Sequence, residues 1–142
     1  MITHEFLRGY IGCALWASTD DDMEPLDKRF HKDDIAPADL ARMKAEATTF
    51  LEAHEEDLDQ YNRGEYPRPI NQREGTAFSA GMDLWLTRNA HGSGFWEGHY
   101  PQDVGDRLTA AAKALGSEDL YIGDDGILYL FPPDMTKKEA SS

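Results

Sequence analysis

The chain reads as an α+β domain with two N-terminal helices, a small antiparallel sheet of about three strands, and one further helix set between the strands. Three observations predict this. Residues 3–17 and 37–61 repeat apolar side chains at intervals of three and four, residues 84–87 alternate, and Gly123-Asp124-Asp125-Gly126 separates two short β-prone runs.

In the first segment Thr3 is a candidate N-cap, Glu5 sits in the favourable first turn, and Phe6, Leu7, Tyr10, Ile11, Ala14 and Leu15 form one apolar face. Ser18-Thr19 and the triplet Asp20-Asp21-Asp22 end it: short polar side chains compete for backbone hydrogen bonds, and carboxylates oppose the negative end of a helix. Residues 18–35 form a polar connection with a short turn around Leu26 to Phe30. The second helix starts near Pro37, where proline suits a first turn, and runs to about Tyr61. Leu40, Met43, Ala47, Phe50, Leu51, His54 and Leu58 keep its stripe, which makes His54 a hydrogen-bonded core histidine, while Glu46, Glu52, Glu55, Glu56, Asp57 and Asp59 line its outer face.

Residues 62–81 read as loop, punctuated by Gly64, Pro67, Pro69, Gly75 and Gly81, and hold a locally basic set, Arg63, Arg68 and Arg73, either mobile or laid against the acidic helix. Leu84 and Leu86 alternating with Trp85 and Thr87 predict a strand, followed by a polar corner and the break Gly92-Ser93-Gly94. Pro101 precedes a helix from about Asp103 to Leu115 that Gly116 stops. Asp119–Ile122 and Ile127–Phe131 then form a hairpin whose Asp125-Gly126 suits a type I′ turn. Residues 1–133 make one domain, and 134–142 are a frayed tail.

A chain of 142 residues supports one hydrophobic core without disulfides. Its mean hydropathy of −0.63 reflects a charged surface, since 40% of residues are hydrophobic. There are 27 acidic and 14 basic side chains, a net charge of −13. Residues 20–59 alone hold fourteen acidic and five basic side chains, a net of −9, so the excess is concentrated. Such a field repels nucleic acid and anionic membranes and attracts basic partners. Cys13 is the one cysteine, so no intramolecular disulfide forms and a reducing cytoplasm fits. No run has the length of a membrane-spanning helix, and the start lacks the pattern of a signal peptide.

The candidate chemistry gathers at residues 83–99. His91 beside a glycine pair, with Arg88, Asn89 and His99 near in sequence, suits a general base or an anion site. Against that, Gly92 and Gly94 make a tight turn on their own, and Arg88 and His91 have abundant carboxylates to pair with. The five histidines lack metal-binding spacing, the acidic stretches at 20–22 and 124–126 lack the spacing of a calcium loop, and no phosphate-binding loop or nucleophile elbow is present, so neither metal nor cofactor is expected. Of the tryptophans, Trp85 reads as core and Trp96 as exposed.

The run DLWLTRNAHGSGFWE at 83–97, with GDRLTAAAK at 105–113 and DLYIGDDG at 119–126, resembles a family of small acidic proteins encoded by tailed bacteriophages. ALWASTD at 14–20, PLD at 25–27 and DIAPADLARM at 34–43 look like the same family. The family pattern has glycine where this chain has Ala90 and alanine where it has Ser93, and the segment from Glu65 to Gly81 departs from it. The resemblance implies a phage accessory protein acting in a bacterial cytoplasm. Small acidic phage proteins often inhibit host defence, some by presenting carboxylates to a groove built for phosphates.

The expectation is therefore a non-enzymatic inhibitor of a bacterial defence system, of anti-CRISPR or anti-restriction type. It would bind a host protein's basic surface through Asp20, Asp21, Asp22, Glu24, Glu52, Glu55, Glu56, Asp57 and Asp59, with Trp85, Arg88, Asn89, His91, Trp96 and His99 adding specificity. The alternatives are a small-ligand or enzymatic site around Arg88, Asn89, His91 and Trp96, a structural or regulatory role among phage proteins, and an acidic face that serves only solvation.

Overall fold

A computed structural model describes residues 1–69 and 75–133, so the expected tail at 134–142 and Arg73 lie outside the described residues. Four helices and one hairpin follow in order: α1 (Thr3–Ala17), α2 (Pro37–Leu58), α3 (Gly75–Arg88), α4 (Gln102–Ala114), β1 (Asp119–Ile122) and β2 (Leu128–Phe131). Short 3-10 turns at Leu26–Lys28 and Lys32–Asp34 punctuate the connection from α1 to α2. The fold is α+β as expected, with a two-stranded antiparallel sheet in place of about three strands and with two helices, not one, beyond the N-terminal pair.

The difference lies in α3. The predicted strand at 84–87 is its last full turn, and Gly75 to Gly81, read as loop, are its start. Alternation is a valid strand signal only where one face meets water. Here every residue from Asp83 to Arg88 is buried, so the run carries no polar face to reveal its period. The helical spacing survives in Ala77, Ala80, Leu84 and Arg88. Beside the hairpin, the connection before α2 makes an isolated parallel bridge, Ile35 to Leu128, extended by the Ala36 amide donating to the Leu128 carbonyl at 2.8 Å.

Two glycines explain why α3 is a central helix. A Cβ at Gly9 would lie 1.9 Å from the Phe78 carbonyl oxygen, and one at Gly81 would lie 2.0 Å from the Phe6 oxygen. Each helix therefore lays its glycine on the other's backbone, and the residues read as loop punctuation are packing positions. Around this contact Phe6, Tyr10, Leu84 and Trp85 are fully buried, with the Tyr10 ring meeting Trp85 edge-on at 5.4 Å. From α2, Met43, Ala47, Phe50 and Leu51 join the same core, as do Phe95, Tyr100, Leu108, Leu120, Leu128 and Leu130.

Several local readings change as well. Ile2 occupies the cap position before α1, with Thr3 already helical. His54 breaks the helical angles of α2 (φ −126°, ψ 21°), and its ring rests on Phe50 at 4.6 Å. In the hairpin loop only Gly126 has positive φ, 81°, which excludes a type I′ turn. The loop spans Gly123 to Gly126, its Gly126 amide donating to Gly123 and the Gly123 amide to Ile127, and the glycine supplies the left-handed step before β2.

The end of α3 forms a complete two-bond cap: the His91 amide donates to the Leu86 carbonyl at 3.0 Å and the Ala90 amide to Thr87 at 3.1 Å. Its left-handed position is Ala90, at φ 54°. Replacing Ala90 with glycine removes the Cβ strain and is expected to stabilise the protein by about 1 kcal/mol, read as a higher urea midpoint with an unchanged slope. At Gly81 the expectation reverses. Alanine has the better helix propensity by about 1 kcal/mol, but overpacking against a backbone costs about 1–3 kcal/mol or more. Because the Cβ would sit 2.0 Å from that backbone oxygen, the clash wins, and Gly81→Ala is expected to lower the urea midpoint.

Candidate functional site

The predicted specificity cluster separates once the chain is folded. Trp85 is 1% exposed and belongs to the core. Arg88 is 3% exposed and joins four parts of the chain: Nε donates to Gly116 at 2.8 Å, Nη2 to Leu115 at 3.2 Å and Nη1 to the Tyr10 hydroxyl at 2.9 Å, while Nη1 also lies 2.9 Å from Glu118 Oε1 and 3.6 Å from Glu46 Oε1. Asn89 is a clamp, its amide nitrogen donating to the Trp85 carbonyl at 2.9 Å and its oxygen accepting from the Glu118 amide at 2.8 Å. Arg88 and Asn89 hold the end of α3 to the approach to β1.

His91 and Trp96 do reach the surface, in separate places. Trp96 is half exposed and lines a recess of about 360 Å³ with Tyr66 and Glu97. His91 stands between a groove of about 660 Å³ and an adjoining one of about 470 Å³ floored by Ser18, Asn89 and Glu118. His99 is partly buried, and its Nδ1 donates to the Tyr66 carbonyl at 2.6 Å, tying two loops together.

The acidic candidates also divide. Asp20 is turned inward, its side chain 8% exposed, and accepts from the amides of Asp22 and Glu24 at 2.9 and 3.0 Å and from Arg29 at 3.1 Å. The Glu24 amide first, then that of Asp22 and the Arg29 guanidinium, hold its carboxyl below the usual range. Asp21 and Asp22 are exposed, and Glu24 pairs with Lys28. Asp57 faces Arg107, which donates from Nε at 3.0 Å and Nη2 at 2.8 Å and lowers the carboxyl's pKa. Glu52, Glu55, Glu56 and Asp59 are exposed along one side of the end of α2. The Met1 nitrogen lies 3.2 Å from Asp59, so this face sits beside the start of α1, whereas Asp20 to Glu24 follow its end. Fifteen helical residues, about 22 Å, separate the two acidic regions.

A group that the sequence pattern did not mark lies beneath the larger groove. Asp83, on α3, is 0% exposed, and neither carboxylate oxygen has a hydrogen-bond donor among the described residues. Arg68 Nη2 lies 3.6 Å from Asp83 Oδ1 and 3.3 Å from Glu97 Oε1, so two carboxylates share one guanidinium. The hydroxyls of Tyr61 and Tyr100, whose rings meet edge to face at 5.4 Å, are also buried without hydrogen-bond partners among the described residues. Burial pushes the Asp83 carboxyl up to about 7, Arg68 opposing and Glu97 reinforcing. Burial and Glu46 likewise raise Glu118 to about 7 against Arg88 and Arg42. A solitary acid at helical spacing between Ala80 and Leu84, Leu86 and Thr87 was the available sequence signal for Asp83. It is recognisable only if the run is read as helix.

Among the described residues no three His, Cys, Asp or Glu side chains converge as metal ligands, and no helix is long and apolar enough to cross a membrane. Cys13 is buried, its thiol pushed up to about 12 mainly by burial. No protein-family model, curated protein or solved structure matches the chain.

The two raised carboxyls set a pH dependence. A group whose pKa is higher folded than unfolded stabilises the fold most below the unfolded value and loses that contribution as pH rises through the folded value. Asp83 and Glu118 start from 3.8 and 4.5 and reach about 7, so their contribution is expected to decline from about pH 4 to above 7. Melting temperature should therefore fall between pH 5 and 8. The double variant Asp83→Asn, Glu118→Gln should flatten that slope, as thermal denaturation across the range will show.

Proposed function

We propose that the protein is a non-enzymatic phage accessory protein that inhibits a bacterial defence system by occupying a basic, nucleic-acid-binding surface of a host protein. The observation that carries this is the exposed set Glu52, Glu55, Glu56 and Asp59, which flanks the kink at His54 and gathers four carboxylates on the surface at the end of α2. The phage resemblance supplies the setting, a bacterial cytoplasm. Asp21 and Asp22, about 22 Å away along α1, form a second acidic end that a large partner would reach separately. Asp20 and Asp57 serve the protein's own loop and helix contacts, so the contact surface narrows to the exposed carboxylates.

Capture of host proteins on the immobilised chain, at rising salt, tests this. A partner held through these carboxylates is released as salt rises, is displaced from the chain by duplex DNA, and is lost when Glu52, Glu55 and Glu56 are changed to lysine. A complex indifferent to both salt and charge reversal would exclude the acidic-surface reading.

A further inference from the structure

The groove of about 660 Å³ has a composition that a solvated surface cleft does not need. One wall is apolar and aromatic: Trp16, which is 55% exposed, with Pro25, Met82 and Leu86. The lining also includes Asp83, the least accessible of these residues, with Arg68 and the His91 corner. Among the described residues neither oxygen of Asp83 has a hydrogen-bond donor, and Arg68 approaches one of them only at 3.6 Å while also serving Glu97. A buried carboxylate left in that state is costly, and N–H donors carrying positive charge are the partners that relieve it best. With two carboxylates to one guanidinium, the local charge favours a cation over an anion.

We propose that this groove binds an organic cation, an ammonium or guanidinium on a short apolar stem, with the charged head hydrogen-bonded to Asp83 and the stem against Trp16. The indole face attracts the cation and covers the methylenes, and the unpartnered carboxylate supplies the direction. Such a cation comes either as a free amine or as the lysine or arginine side chain of a protein. The groove is built from α1, α3 and residues 25, 68 and 91–93, so it binds whether or not the α2 face does.

The test is a titration of the nitrogen-15-labelled full chain, followed by NMR, with n-butylammonium and with an acetylated, amidated glycyl-lysyl-glycine, using sodium acetate as the anionic control. A saturable shift of the Trp16 indole N–H and of the Gly92 and Ser93 amides is expected. A response to the amine alone identifies a free small cation, and a response to the peptide identifies a protein side chain. Asp83→Asn should weaken binding about tenfold or more, and Trp16→Ala, at a half-exposed position that the fold does not rely on, about two- to fivefold. Lysine substitutions at Glu52, Glu55 and Glu56 should leave the groove response in place, which separates this site from the α2 surface. Absence of any shift, affinity unchanged in Trp16→Ala, or the same residues responding to acetate would each overturn the proposal.

Discussion

Where Gly9 and Gly81 lie on the backbones of the opposite helices, α1 and α3 approach with no side chain between them at those points, and the rest of the packing follows from that distance. It lets Tyr10 cross from α1 to meet both Trp85 and Arg88. It also brings the polar residues of α3 inside, because a helix held that closely by α1, and covered by α4 and the 92–100 loop, has no water-facing side along 83–88. The buried charges are a consequence of this geometry.

Those charges are handled in two ways. Arg88 donates to two backbone carbonyls and a tyrosine hydroxyl and forms an ion pair with the Glu118 carboxylate, and it joins α1, α3 and the turn before β1. A buried ion set of this kind contributes little when compared with apolar packing, yet removing one member leaves the others unpaired at a cost of about 3–5 kcal/mol. Asp83 is the opposite case, buried with a distant, shared cation and no donors among the described residues. The first arrangement ties three segments of the chain to one guanidinium. The second leaves an unmet interaction under an open groove, which is the usual character of a binding position.

Much of the fold was legible locally. The bounds of α1, the start of α2, the extent of α4 and the hairpin at Asp119 to Phe131 all follow from apolar spacing and turn residues, because each of these elements keeps one side in water. Residues 75–88 were not legible in the same way, since burial on all sides removes the polar half of the pattern from which a period is read. The candidate site inherited that error. Arg88, Asn89, His91 and Trp96 are close in sequence, but folding buries Arg88, leaves Asn89 and His91 on one groove, and places Trp96 at a separate recess.

The amino-acid sequence by itself determined the charge, its concentration between residues 20 and 59, the α+β class and most element boundaries, because these depend on composition and on contacts within a few residues. Tertiary structure alone decided which carboxylates face solvent. Asp20 and Asp57 turn to neighbouring donors, while Glu52, Glu55, Glu56 and Asp59 stay outside, and both acid types look alike in a linear chain. It also decided that Asp83 lies buried beside Trp16's groove. The partners of a buried charge come from distant segments, here residue 68 and residue 97, and no local pattern encodes that meeting.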